Sequence, residues 1–185
     1  SAIQSRFYLQ PTNNKRFIFL RYKDGLKVIK EFQTIMIETI SVDQLHLIAP
    51  LWDKLNALHK DLDGVCGKPR RDTTWEERCS QLYEKGKGKS LIQIALVESS
   101  PVGYCFTSID DANKGEIDSL FVLMECRGKG FGKKLMENAL NWLSDSHCDD
   151  IQIWVHPGNT NAISFYWNFG FATGPAMKKV ANKPL

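Results

Sequence analysis

The chain has 185 residues, of which 43% are apolar and 24% charged. That length suits a single domain with room for a small appendage, and that apolar fraction is enough to bury a core, as in an ordinary soluble protein. The formal net charge is only +3, but it is unevenly placed along the chain.

Two classes of protein are disfavoured by the pattern of apolar residues and cysteines. No apolar run approaches the roughly 18 residues of a membrane span, and the start "SAIQSRFYLQ" lacks the charged-then-apolar order of a signal peptide. We therefore expect a cytoplasmic protein without a membrane partner. The five cysteines are odd in number and form no CxxC pair, which indicates reduced core thiols rather than disulfides or zinc ligands.

The first 33 residues combine seven basic and two acidic residues with several aromatics. Their segment "RFIFLRYKDGLKVIKEF" predicts two strands around an Asp24-Gly25 turn. Such a surface could bind nucleic acid, because aromatic rings stack on bases and cations bind phosphate. We favour a solvated hairpin, residues 1–33, appended to a domain that spans residues 34–185. An exposed edge of this hairpin could also pair two chains into a homodimer.

The segment from residue 34 to residue 110 predicts alternating strands and helices. "TIMIETI" is a strand, and Ser41 with Gln44 forms a capping box for an amphipathic helix through "LHLIAPLWDKLNALH", interrupted near Pro50. A polar link around "DLDGVCGKPRRD" and a helix over "TTWEERCSQLYEK" follow. "LIQIALVES" and "VGYCFTSID" then form a hairpin around Ser100-Pro101.

The strand "EIDSLFVL" leads into "RGKGFGKK", which places three glycines and four cations in eight residues. A Walker-type P-loop needs four residues between its glycines, and only three separate Gly128 from Gly132. The dinucleotide fingerprint would need glycine at Lys133. With both motifs excluded, the segment is a run of backbone N–H groups that leads into a helix N-terminus. Such a run can bind phosphate oxygens through its unpaired donors and the helix dipole.

The helix after this glycine motif has one apolar face. Its members are Phe131, Leu135, Met136, Ala139, Leu140 and Leu143. The next strand, "DIQIWV", completes a β-α-β unit, and such units are nearly always right-handed and parallel, with ligands beyond the carboxyl ends of the strands. A short helix from about Asn159 to Asn168 and a strand near "PAMKKV" finish the domain.

Two motifs together resemble the GNAT superfamily of acetyl-CoA-dependent N-acetyltransferases, with coverage from about Thr34 to the C-terminus. "IDSLFVLMECRGKGFGKKLM" resembles the cofactor motif, with matches at Val122, Arg127, Gly130 and Gly132. "VHPGNTNAISFYWNFGF" matches a second segment at Asn159, Ala162, Tyr166, Gly170 and Phe171. The resemblance implies an α+β (mixed α/β) fold with a central mixed, mostly antiparallel sheet and helices on both faces.

The same resemblance implies that acetyl-CoA is the cosubstrate and that its pyrophosphate is held by backbone N–H groups of residues 128–133. The strand equivalent to Leu120, Phe121 and Val122 is bulged in the family, pairs with the pantetheine arm and splays away from the strand equivalent to "DIQIWV". A backbone N–H freed by the bulge can bond the thioester carbonyl. The implied cofactor-binding residues are Leu120, Phe121, Val122, Arg127, Gly128, Lys129, Gly130, Phe131, Gly132, Lys133, Asn159 and Tyr166.

Acetyl transfer to an amine needs a neutral amine, and deprotonating a lysine-like amine of pKa about 10.4 at pH 7 costs roughly 4.6 kcal/mol. Glu116 and Asp118 lie two apart on one strand, so their side chains share a face and either could be the base, directly or through a water. Acids at a solvated strand end are an equally good interpretation. Tyr166 resembles the family's general acid, although its helical spacing also suits a core aromatic. Asn159 could cap the helix as well as contact the cofactor.

The remaining polar and aromatic residues give weaker indications. The four histidines show no metal-ligand spacing, so no metal is expected; we expect His156 to contact substrate, His59 to be a polar helix-end residue and Trp154 to lie in the core. The acceptor would be a small-molecule or peptide amine, and the acidic balance outside the basic segments mildly favours a cationic one. The alternatives are a non-catalytic acyl-CoA sensor and, less favoured, nucleic-acid binding through the hairpin.

Overall fold

The computed structural model describes residues 15–22, 25–33, 35–66, 72–148, 150–172 and 177–179. The strands within these ranges are β1 (Lys15–Tyr22), β2 (Gly25–Gln33), β3 (Met36–Ile40), β4 (Lys89–Val97), β5 (Ser100–Ile109), β6 (Gly115–Val122), β7 (Ile151–Ile153), β8 (Phe171–Ala172) and β9 (Met177–Lys179). The helices are α1 (Ala49–Cys66), α2 (Trp75–Gly86), α3 (Phe131–Asp145) and α4 (Thr160–Trp167), with 3₁₀ turns at Val42–Ile48 and Met124–Cys126.

The strands form two sheets. β1 and β2 pair antiparallel in a sheet of their own, as predicted, although Lys23 and Asp24 of the predicted turn lie outside the described residues. The other sheet has the order β3-β4-β5-β6-β7-β9-β8. Among its described pairs, β6 with β7 is parallel and the others are antiparallel. The predicted mixed, mostly antiparallel sheet is therefore confirmed, while the boundary at residue 33 stays a prediction.

Helices cover both faces of the seven-stranded sheet. Alternate residues of a strand point to opposite sides, so each face of the sheet presents apolar side chains to the helices on that side. On one face, Ala95, Cys105 and Ile117 pack against α3 and α4. On the other, Ile94 and Tyr104 pack against the Val42–Ile48 turn, α1 and α2. All six apolar residues predicted for one face of α3 are buried, so the apolar stripe fixes how that helix sits on the sheet.

The first helical region begins as its sequence predicts. The Ser41 backbone N–H donates to Gln44 Oε1 at 3.1 Å, and the Gln44 N–H donates to the Ser41 carbonyl at 3.0 Å. The 3₁₀ turn gives way to α1 at Ala49, so Pro50 falls in the first turn, where its missing N–H leaves no bond unmade. Among the described residues, no helix is long and apolar enough to cross a membrane.

Two predicted connections are wrong in position. α1 runs on to Cys66, so residues 61–66 of the predicted polar link belong to this helix. The turn between β4 and β5 lies at Glu98 and Ser99, with φ of 50° and 66°, and not at Ser100-Pro101, where β5 has already begun. A two-residue turn with both φ values positive matches the twist of the flanking strands, which outweighs the cost of that conformation for two residues other than glycine. The short strand β8 was not predicted.

The neighbouring strands β6 and β7 part within the sheet. They pair only where Gly115–Ile117 lies beside Ile151–Ile153, whereas β6 continues to Val122. Beyond Ile117 the edge of β6 that faces β7 has no pairing with it. A bulge does occur in β6, but it lies at Asp118, between the paired residues Ile117 and Ser119, and not at residues 120–122 as expected.

Candidate active site

A cavity of about 380 Å³ lies beside the end of β6, past the point where β6 and β7 part. We call it the first cavity. Its walls come from the end of β6, the glycine motif, α1 and α4. The lining residues are Leu55, Leu58, Leu120, Phe121, Val122, Arg127, Gly128, Gly130, Gly132, Lys133, Asn159, Asn161, Ala162, Phe165 and Tyr166. They include all the residues predicted to bind the cofactor except Lys129, which is exposed, and Phe131, whose side chain is buried in the core.

The glycine motif forms the N-terminal end of α3 at this cavity. Gly128 and Gly130 have φ of 73° and 91°, the left-handed region that favours glycine. Gly130 is the N-cap, and its carbonyl accepts from the Lys134 N–H at 3.0 Å. The N–H groups of Phe131, Gly132 and Lys133 precede the first intrahelical donor, so they lack helical acceptors. Together with the helix dipole, they make this end of the cavity suited to an anion.

Arg127 fastens the glycine motif to β6. Its Nε donates to the Val122 carbonyl at 3.0 Å, and its guanidinium carbon lies 5.8 Å from the centre of the Phe121 ring. Phe121 and Val122 are the last two residues of β6. The start of α3 is therefore held at a fixed place relative to the unpaired strand edge.

Asn159 and Tyr166 both belong to the segment "VHPGNTNAISFYWNFGF". Asn159 lies at the start of α4, and Tyr166 lies on the side of α4 that faces the core. The Asn159 Oδ1 accepts from the Ala162 N–H at 3.1 Å, which confirms the predicted helix cap. The Tyr166 ring packs against Phe165 and Phe171, with ring centres 5.3 Å and 6.1 Å away. Burial raises the pKa of Tyr166 above its ordinary value. Tyr166 is thus a core aromatic that also lines the first cavity, and its role as a general acid stays a prediction.

A second cavity of about 420 Å³ lies on the α1 and α2 side of β6. It shares Leu55 with the first cavity, and more of its lining is polar or charged. The lining residues are Trp52, Leu55, Asn56, His59, Lys60, Asp63, Asp72, Thr73, Arg78, Gln81, Lys85, Glu116, Asp118, Ser119, Trp154 and Val155.

Glu116 and Asp118 both line this second cavity, but each is already bound to a cation of α2. Lys85 Nζ lies 3.0 Å from Glu116 Oε2 and also bonds Asp118, which bonds Arg78 as well. Burial of Lys85 disfavours its charged form, but its bonds to Asp118 and Glu116 outweigh that effect and raise its pKa. The Asp118 side chain is only 4% exposed. The structure therefore places both candidate bases apart from Tyr166, in a neighbouring cavity and in an ion-pair network.

The surroundings of the two histidines and Trp154 differ from the expectation. His156 is buried, its Nε2 lies 2.9 Å from Asp63 Oδ1, and its Nδ1 accepts from the Gly158 N–H at 3.0 Å. His59, stacked on it at 6.3 Å, is the histidine that lines the second cavity. Trp154 is 61% exposed and lines the same cavity, so its assignment to the core was wrong.

Several residues that line the first cavity were not predicted, because the sequence indicates that they lie on a helix but not which other element that helix faces. Leu55 and Leu58 have helical spacing on α1, yet that spacing cannot show that they face a cavity beside α4. Phe165 and Asn161 were read only as parts of a short helix. Among the described residues, no three His, Cys, Asp or Glu side chains group as metal ligands would.

The comparisons with known proteins match this arrangement. The acetyltransferase (GNAT) family model matches residues 52–171. An uncharacterized N-acetyltransferase of Archaeoglobus fulgidus is 34% identical over 86 residues, covering 43% of this chain and 58% of the relative. An uncharacterized N-acetyltransferase of Methanocaldococcus jannaschii is 35% identical over 79 residues, covering 42% and 50%. The chain thus spans little more than half the length of these curated relatives.

A solved structure shares the fold. The PaiA N-acetyltransferase from Thermoplasma acidophilum, crystallised in complex with coenzyme A, superposes with a TM-score of 0.60 at 22% identity, covering 79% of this chain and 98% of that one. At that identity the likeness supports the fold, and the family model, which matches more than half of the chain, supports the family. The chain belongs to the acetyltransferase (GNAT) family.

Proposed function

We propose that this protein is an N-acetyltransferase that moves an acetyl group from acetyl-CoA directly to a primary amine. The observation that carries the proposal is the first cavity, which joins an anion-binding helix N-terminus to the unpaired edge of β6. A ligand with a phosphate at one end and an amide-bearing arm fits both features. Coenzyme A has this construction, and its thioester supplies an activated acetyl group.

The residues around the glycine motif fit the phosphate end of such a ligand. A Cβ added at Gly128 would meet nothing within 4 Å, so the chain is open on that side. The backbone N–H groups of residues 128–133 would hold the pyrophosphate, with Lys133 adding charge at the lining. The edge of Leu120, Phe121 and Val122 would pair with the arm as a neighbouring strand does.

The proposed reaction forms a carbon–nitrogen bond and breaks the thioester carbon–sulfur bond. Tyr166 would donate a hydrogen bond to the departing sulfur, which would then take its proton from solvent. The raised pKa of Tyr166 keeps the phenol protonated but disfavours complete transfer of that proton. The amine must lose a proton before or during attack. Glu116 is the better candidate of the two carboxylates, because it is more exposed than Asp118, which two cations hold. A water beside Glu116 could relay the proton.

The acceptor would approach through the second cavity. That cavity reaches Ser119, directly before Leu120 of the first cavity, and Leu55 contributes to both linings. Its volume suits a small-molecule amine or the end of a peptide. Trp154, which is exposed, offers aromatic surface in the cavity that the two carboxylates also line, which would favour an acceptor with a cationic amine.

The test is calorimetric titration of acetyl-CoA into wild type and into Gly128→Asp and Gly128→Asn variants. Asn and Asp both tolerate the left-handed conformation at Gly128 and have the same size, so they differ mainly in charge. We expect one-site binding by wild type and at least about tenfold weaker binding by the Asp variant than by the Asn variant, from charge repulsion. Acetylpantetheine, which lacks the nucleotide phosphates, should bind the two variants equally. Absence of acetyl-CoA binding by wild type would contradict the proposal.

A second function, that of an acyl-CoA sensor without catalysis, is favoured by one observation: both candidate bases are held in ion pairs. The two functions differ in turnover. A transferase releases coenzyme A thiol when acetyl-CoA and a panel of amines are supplied, whereas a sensor binds acetyl-CoA and releases none above the uncatalysed rate.

A further inference from the structure

We propose that His156 and Asp63 form a positioning pair that fastens α1 to the turn before α4 and thereby sets the shape of the first cavity. This inference rests on the proposed acetyl-CoA-dependent function. It assigns His156 a positioning role beside the first cavity, where the sequence indicated a substrate contact. Neither residue needs to touch a reacting atom.

The hydrogen bonds define the state of the His156 ring. The Gly158 N–H donates to Nδ1 at 3.0 Å, so Nδ1 carries no proton. The ring proton is therefore on Nε2, which donates to Asp63 Oδ1 at 2.9 Å. His156 is 5% exposed and Asp63 7%. Both nitrogens of the buried imidazole are thus engaged in hydrogen bonds, which leaves neither available as a base.

On one side, the pair organises the turn that starts α4. The His156 carbonyl accepts from the Asn159 N–H at 2.8 Å, while its ring accepts from Gly158. Asn159 in turn caps α4 through the Ala162 N–H. Asn159 and Ala162 both line the first cavity. A continuous series of bonds therefore runs from the His156 ring to this wall.

On the other side, the pair holds the C-terminal half of α1. Leu55 and Leu58 of this helix form the facing wall of the first cavity, and Asp63 lies about 1.4 turns after Leu58. The ion pair of Lys60 with Asp72 also links α1 to the chain beyond it, but both side chains are more than half exposed, and such pairs contribute little. The buried bond to His156 is the stronger fastening.

Two walls of the first cavity come from α1 and from the start of α4. The distance between these walls therefore depends on contacts that join the two elements, such as the hydrogen bond between His156 and Asp63. If the bond is lost, α1 and the α4 turn can separate, and the binding-competent arrangement is populated for a smaller fraction of the time. Affinity for the acyl-CoA falls by that fraction, while the rate at saturation changes little. A positioning role therefore predicts a change in Kd and KM with kcat retained.

The test uses two substitutions of His156, each of which can keep one of the two hydrogen bonds that the imidazole makes. In His156→Gln, the amide nitrogen can reach Asp63 as Nε2 does. In His156→Asn, the amide oxygen can accept from Gly158 as Nδ1 does, but the shorter side chain does not reach Asp63. We expect calorimetry to show acetyl-CoA binding weakened about tenfold in His156→Asn and within about threefold of wild type in His156→Gln. With saturating acetyl-CoA, thiol release should stay within about threefold for both.

Thermal unfolding without ligand shows whether each variant is folded. Should His156→Asn not fold, Asp63→Asn, which keeps an acceptor for Nε2, is compared with Asp63→Leu, which does not, and the same order of affinities is expected. Equal affinities within either pair, or a loss confined to kcat, would overturn the positioning role. Failure of the proposed function gives a different result, since wild type itself would then bind no acetyl-CoA.

Discussion

Tyr166 meets two requirements with one side chain. Its ring fills the core between Phe165 and Phe171, and its burial raises the pKa of the phenol above its ordinary value. A thiolate of pKa about 8.5 is less basic than such a phenolate. In the proposed reaction, Tyr166 would therefore stabilise the departing sulfur by a hydrogen bond and would not transfer its proton completely.

Replacing Tyr166 by Phe keeps the ring and removes the hydroxyl. We expect thiol release at saturating substrates to fall about 100-fold, as for loss of one hydrogen bond to charge that develops in the transition state, while the Kd for acetyl-CoA stays within about threefold. Steady-state kinetics and calorimetry on the same preparation measure the two effects. Unchanged turnover would remove Tyr166 from the chemistry and leave it only its packing role.

At the scale of elements, α2 is fastened to β6 by its two cations. Arg78 and Lys85 both bind Asp118, which sits at the bulge and is almost fully buried, while Glu116 is more exposed and pairs with Lys85 alone. The two carboxylates thus differ in what they support. Asp118 holds a helix to the sheet, and Glu116 is freer to act on a ligand.

Neutralising the two carboxylates separately distinguishes these roles. Asp118→Asn should lower the free energy of unfolding by about 2 to 3 kcal/mol, because two partly buried cations lose their shared partner. Glu116→Gln should lower it by less than about 1 kcal/mol and instead shift the pH dependence of thiol release. Urea unfolding monitored by circular dichroism measures the first effect. Similar stability losses in both variants would contradict this division.

Predictions from the sequence succeeded where a signal is local. The apolar stripe of α3, the Ser41 capping box and the Asn159 cap each depend on residues within a few positions of one another, and all three are present. The glycine motif was placed correctly at the start of a helix for the same reason.

The failures concern contacts between distant parts of the chain. Arg78 is 40 residues from Asp118, and His156 is 93 residues from Asp63, so no periodicity connects them. The bulge at Asp118 depends on pairing with β5, and the exposure of Trp154 depends on where β7 ends. The sequence could therefore nominate Glu116 and Asp118 as functional acids without revealing the cations that hold them.

At the scale of the whole molecule, the buried core contains groups that resist ionisation. Burial raises the pKa of the Cys105 thiol to about 12, from an ordinary value of 9.0. In the unfolded chain this thiol loses its proton first, so the unfolded state binds fewer protons as the pH rises above 9. Stability must therefore fall with increasing pH in this range.

The comparison of wild type with Cys105→Ala isolates this contribution. Between pH 8 and pH 10, under reducing conditions, wild type should lose about 1.4 kcal/mol more of its free energy of unfolding than the variant does. The variant will start from a lower stability because of the cavity it leaves, and only the difference in pH dependence is the test. Urea titrations at both pH values measure it, and parallel losses would show that the thiol ionises in the folded protein.

The early separation of β6 from β7 leaves the central sheet incomplete. In the proposed function, an acyl-CoA in this gap would supply the hydrogen bonds of a missing strand, and it would bind the folded chain and not the unfolded one. At 100 times its Kd, such a ligand adds about 2.7 kcal/mol to stability. The resistance of this protein to unfolding and proteolysis would then increase with the concentration of the acyl donor. A shortage of that metabolite would lower the amount of folded protein as well as the rate of the reaction it catalyses in the proposed function.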